Sequence, residues 1–160
     1  SPLLGKEFTN SIILAGLSAM IGVALIIFLR YKNIRLSLAV LFTSFSEILI
    51  ILGFSALFGQ NLDLPAIAGI IATIGKGMDS QIIVLDEAII KNISLKERIR
   101  RAIIIIMGTY ITTLFALLPL IWAGAGMLKG FAITSIVGVS IGAFVTRPAF
   151  SEIIKSLIKE

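Results

Sequence analysis

The 160-residue sequence contains no cysteine and no histidine. Disulfides, thiol nucleophiles and thiolate-ligated metals are excluded, and the side chain most often used as general base, proton shuttle or zinc ligand is missing. Any titration tied to function therefore falls on carboxylates or lysines. Charge is scarce as well: 14% of residues are charged against 58% hydrophobic, and mean hydropathy is +1.07. That balance excludes a soluble globular domain and points to a polytopic membrane protein. The lack of cysteine says nothing of redox compartment, because membrane helices seldom use disulfides. No catalytic residue, cofactor or metal site is expected, and the chain does not read as an enzyme.

What the sequence does have is long apolar runs. A hydrocarbon core about 30 Å thick needs roughly 20 helical residues, and runs of that order occur at Ser11 to Leu29, Leu36 to Phe58, Leu64 to Ile90, Ala102 to Trp122 and Leu128 to Phe150. An all-α bundle of five spans, one transmembrane domain over residues 1–160, is expected. The connections are short, so consecutive helices run antiparallel and pack as neighbours. The opening Ser-Pro-Leu-Leu-Gly has neither an initiator Met nor the pattern of a secretory signal, and the chain reads as a piece of a longer protein.

Basic residues fall unequally on the two sides. Arg30, Lys32, Arg35, Lys91, Lys96, Arg98, Arg100, Arg101, Arg147, Lys155 and Lys159 group on one side, and Lys6 and Lys129 on the other. The positive-inside rule makes the first side cytoplasmic, with the N-terminus outside and the C-terminus inside a cell membrane. This topology also explains the net charge of +5 without a nucleic-acid partner. Ser94 with Glu97 three residues on is a capping-box pattern. It predicts a short amphipathic helix over residues 94–101 lying on the membrane, with Lys96, Arg98, Arg100 and Arg101 meeting anionic lipid headgroups.

The third span carries the costly residues, Gly75-Lys76-Gly77-Met78-Asp79. A Lys or Asp near the bilayer centre costs about 2.5 to 3.5 kcal/mol, so retaining both calls for a use. Helical spacing puts Gly69, Ala72, Lys76, Asp79 or Ser80, Ile83 and Glu87 on one face and Ile70, Ile74, Met78, Ile82, Leu85 and Ile89 on another. The first face is expected to meet the bundle and the second the lipid. Gly75 and Gly77 allow close backbone approach or a flexible point. Lys76 and Asp79 read in two ways: a structural i,i+3 ion pair, or a switchable proton site in which Asp79 is ionised against Lys76 in one state and protonated in another.

Glu47, midway along the second span, is a third intramembrane charge. It is either a partner for Lys76 or a neutral acid bonded to Thr43, Ser44 and Ser46. Thr109, Thr112 and Thr113 could carry a water path towards Asp79, or bond back to their own helix. Gly138 and Gly142 form a GxxxG spacing that favours close helix packing. Pro119 reads as a kink and Pro148 as a helix end.

Read in order, Leu4-Gly5, Phe28-Leu29-Arg30-Tyr31, Leu64-Pro65-Ala66-Ile67-Ala68-Gly69-Ile70, Ile74-Gly75 with Met78-Asp79, Lys129-Gly130-Phe131-Ala132-Ile133-Thr134 and Thr146-Arg147 resemble the SecD side of the SecD/SecF protein-export family in its archaeal form. The resemblance covers essentially the whole chain. It implies the membrane half of the resistance-nodulation-division (RND) superfamily, with the five spans here as helices two to six. The first helix and a large outer domain would lie outside this sequence. It further implies SecF, the Sec translocon, a translocating polypeptide and membrane lipids as partners, and use of the proton gradient to assist export. Asp79 falls on the family's ion-coupling aspartate. Lys76 departs from the pattern, standing where relatives have a small or apolar residue, and Ser80 stands where archaeal relatives often have a second Asp. Half of another RND transporter for lipids or small molecules, and a passive helical scaffold without ion coupling, are the rival readings.

Overall fold

The computed structural model describes residues 2–59, 62–124 and 126–158. Lys159, counted above on the basic side, lies outside the described residues, as do 60, 61 and 125 in two connections. The chain folds as α1 (Pro2–Tyr31), α2 (Ile34–Leu57), α3 (Leu64–Ile89), α4 (Leu95–Ala123), α5 (Met127–Ile141), a single π-helical turn (Gly142–Thr146) and α6 (Arg147–Ile158). No strand occurs among the described residues. The last three segments form one rod, and with it the described residues hold five helices long and apolar enough to cross a membrane.

Local chemistry sets the helix ends. Lys32 takes φ of 50° and so stops α1, and Asn33 caps α2 by accepting from the Arg35 N–H at 3.0 Å. At the far end of α2, Gly59 (φ 60°) supplies the left-handed turn and donates to the Ala56 carbonyl. Asp63 caps α3 by accepting from Ala66 N–H at 3.0 Å, with a proline in the first turn where no N–H is needed. Ser94 caps α4. No break separates residues 94–101 from the span that follows: α4 runs unbroken from Leu95 for 29 residues. At 1.5 Å per residue that is about 43 Å, long enough for one helix both to cross the core and to extend its basic first turns into a headgroup layer. Continuing the helix satisfies carbonyls that a separate surface helix would leave open. Pro119 lies inside α4.

Pro148 does not end a helix. Lacking an N–H, it cannot bond the carbonyl four residues back, and the rod relieves this by widening: the Arg147 N–H reaches five residues back to the Gly142 carbonyl.

Packing along α2, α3 and the α5–α6 rod falls into two apolar clusters. One holds Ile27, Val40, Val84, Leu85, Phe150 and Ile154, and the other Met20, Ile51, Ile70, Ile74 and Met78. Along each helix buried polar residues lie between them: Ser44 and Glu47 on α2, Ser80 and Gln81 on α3, Thr146 and Arg147 on the rod. At the basic end, Asp86 of α3 receives the Tyr31 hydroxyl and, at 3.1 Å, the Arg30 guanidinium, tying α1 to α3.

The face assignment on α3 needs correction. Ile70, Ile74, Met78 and Leu85, expected against lipid, are buried, whereas Ala72, Gly75 and Asp79 are exposed. Lipid tails are as apolar as isoleucine, so large side chains are at home on either side and do not fix helix rotation. Close approach fixes it. A Cβ on Gly69 would lie 2.9 Å from the Phe131 carbonyl, and a Cβ on Gly138 would lie 2.5 Å from the Thr73 side chain, so glycine locks α3 against α5 from both sides.

Candidate functional site

The polar layer is built around an ion pair that spans the fold. Glu47 leaves the middle of α2, and Arg147 leaves the start of α6, directly after the π turn. Arg147 Nη1 donates to Glu47 Oε2 at 2.6 Å and Nη2 to Oε1 at 3.2 Å, and the two side chains are 4% and 2% exposed. Nη1 also donates to the Thr146 hydroxyl, which itself donates to the Gly142 carbonyl at 3.2 Å. Two parallel N–H to oxygen bonds are the strong form of this contact, and only such geometry offsets the cost of removing both charges from water.

Two glycines make the space. A Cβ on Gly77 would lie 2.7 Å from Arg147 Nη2 and 3.0 Å from Glu47 Oε2, and one on Gly142 would lie 2.9 Å from each partner. Gly77 and Gly142 therefore wall the pair from α3 and from the rod. Gly75, by contrast, faces open space. In the GxxxG, Gly138 admits Thr73 while Gly142 admits the ion pair, so the two glycines serve different contacts.

Neither expected partner of Glu47 is found. Thr43 and Ser46 bond back to Ala39 and Phe42, and Ser44 donates to the buried Gln81 at 3.2 Å. Arg147 replaces Lys76 as the counter-charge because the rod, widened before Pro148, brings it inside. Counted from sequence among loop cations, Arg147 is instead a core residue, 3% exposed. The apolar pattern held the signal: Phe150, Ile153 and Ile154 continue the helical run one to two turns past it.

No ion pair joins Lys76 to Asp79 among the described residues. Lys76 is half-buried and lines a cavity of about 20 Å³, room for one water, together with Ser80, Thr109, Tyr110 and Arg147. Asp79 is exposed on the adjoining stripe with Ala72 and Gly75. The structure thus joins Glu47, Gly77, Gly142 and Arg147, sets Lys76 beside them, and leaves Asp79 and Gly75 on an uncovered face of α3. Thr112 and Thr113 both donate to the Thr109 carbonyl, at 3.0 and 2.6 Å, and Thr109 to Ile106 at 2.9 Å. The hydroxyl protons are committed to their own helix.

Comparison with known proteins bears on this arrangement. A family model described as protein export membrane protein SecD/SecF, C-terminal, matches residues 1–159. The chain is 48% identical over 161 residues to the protein-export membrane protein SecD of Methanocaldococcus jannaschii, covering all of this chain and 41% of that protein. It is 46% identical over 165 residues to SecD of Thermococcus gammatolerans, covering 99% and 31%. Protein translocase subunit SecD of Aquifex aeolicus is 30% identical over 165 residues, covering 98% and 32%. The chain thus spans a third to two fifths of the length of these relatives.

Proposed function

We propose, because this chain belongs to the SecD/SecF family of protein-export membrane proteins, that it is the membrane-embedded part of an accessory to Sec-dependent export, worked by the proton gradient. Family and helices together make it a multi-pass membrane protein. Its role is to bias a conformational change rather than to catalyse a reaction. Asp79 carries the ion-coupled step, and the working unit includes SecF, the Sec translocon and a translocating polypeptide. The N-terminus faces outside and the C-terminus the cytoplasm.

The observation that supports this reading is the position of Asp79. A carboxylate on a membrane span, in no ion pair among the described residues and lying on an exposed stripe with small neighbours, needs a second protein surface or an aqueous path to be tolerated. A partner half packed on Ala72, Gly75 and Asp79 supplies the first, and the second lets Asp79 take up a proton, which lowers the cost of facing an apolar medium. The Glu47–Arg147 pair is self-neutralising and serves as the fixed frame against which such a change is made.

The test uses the full-length protein with its partner subunits and compares gradient-dependent export for Asp79→Asn, Lys76→Met and the double variant. Asp79→Asn is expected to reduce export at least tenfold. Wild-type export in all three would leave a passive scaffold as the better account, and co-purification without SecF or translocon subunits would count against the assignment of partners.

A further inference from the structure

Five helix ends meet on the basic side of the bundle around a cavity of about 350 Å³. Arg98, in the first turn of α4, is one of its lining residues. Its Nη1 donates to the Ala88 carbonyl at the end of α3, whereas its Nε is buried without a partner among the described residues. With Nη1 engaged and Nε enclosed by protein, Nη2 is the guanidinium nitrogen left to bind an acceptor from the cavity. A phosphate oxygen suits that donor, because a charge-assisted N–H to oxygen bond is among the strong ones.

The other lining residues fit the same ligand. Lys91 supplies a second cation, and Asn33, whose Oδ1 already accepts from Arg35 N–H, has its amide NH2 to donate. Among the described residues no carboxylate lines the cavity. The rest of the wall is apolar, with Leu36, Ile89 and Leu157 among it. A soluble phosphate would gain nothing from that wall, whereas the glycerol and first methylenes of a phospholipid would be covered by it. The cavity also sits where helix ends reach the headgroup layer, the usual place for basic pockets between spans.

We propose that this cavity holds the phosphate of one anionic phospholipid, gripped by Nη2 of Arg98 and by Lys91. It is a defined site, distinct from the diffuse attraction of Lys96, Arg100 and Arg101 to the membrane surface. The site stands independently of any role of Asp79 in ion coupling.

Full-length protein reconstituted in phosphatidylglycerol or phosphatidylcholine nanodiscs, then delipidated stepwise and weighed by native mass spectrometry, tests it. One phosphatidylglycerol is expected to remain when bulk lipid is gone, and no phosphatidylcholine. Arg98→Gln should cut retention at least tenfold and Lys91→Gln severalfold, while Arg100→Gln, outside the cavity, leaves it unchanged. Equal loss in Arg100→Gln would reduce the effect to a general basic surface and overturn the site. Displacement by millimolar inorganic phosphate would overturn the lipid as its source. Because Arg98→Gln also removes the bond to Ala88, Leu157→Trp fills the cavity from its apolar wall instead. Loss of retention at unchanged helical content supports the proposal, and full retention in that folded variant defeats it.

Discussion

Arg147 holds Glu47 through both terminal nitrogens, at 2.6 and 3.2 Å, across a hundred residues of chain. The contact links α2 to the rod inside the apolar bundle, with α3 held close by Gly77. A bidentate pair so enclosed is neutral as a unit, yet either member alone is a buried charge with no counter-ion.

That asymmetry gives the first prediction. Glu47→Leu or Arg147→Met alone should destabilise the protein by about 3 to 5 kcal/mol, since each leaves one charge stranded. The double variant should recover most of the loss. Chemical denaturation in detergent micelles measures all three, and a double variant as unstable as the sum of the singles would show that the pair is not the unit.

The neighbouring glycines should respond in opposite directions. Gly75→Ala meets nothing within 4 Å and gains helix propensity of up to about 1 kcal/mol. Gly77→Ala forces its Cβ onto the Arg147 guanidinium at 2.7 Å, an overpacking of about 1 to 3 kcal/mol. Unfolding midpoints that rise for the first and fall for the second are expected, and the same sign for both would contradict the close approach.

The threonines of α4 should be dispensable for coupling. Thr112 and Thr113 already donate to the Thr109 carbonyl, so Thr112→Val with Thr113→Val should leave gradient-dependent export within about twofold of wild type. A loss of an order of magnitude would restore the water path through this helix.

Orientation is open to a direct assay because the chain has no native cysteine. With the basic ends inside, a cysteine replacing Leu62 should react with an impermeant maleimide added to intact cells, and one replacing Asn92 should not. The reverse labelling would invert the topology.

Much of this was legible in the sequence because lipid imposes simple rules. A segment that must satisfy its own backbone and fill 30 Å of hydrocarbon declares itself by length and hydropathy, and so the five spans were readable before any coordinates. The cap at Ser94 was readable from its spacing to Glu97, whereas those at Asn33 and Asp63 came from the structure. Glu47, Lys76 and Asp79 stood out as intramembrane charges because each is costly there.

Partnership and rotation were decided only by the tertiary structure. Hydrophobicity does not discriminate between protein and lipid neighbours, so the sequence could not say that Ile70, Ile74 and Met78 face inward and Asp79 outward. Nor could it show that Arg147, 100 residues from Glu47, is the group that meets it. Which charge pairs with which depended on where glycines let backbones close in and on a π turn that widens the rod ahead of Pro148, and both are facts of packing between helices rather than of any one segment.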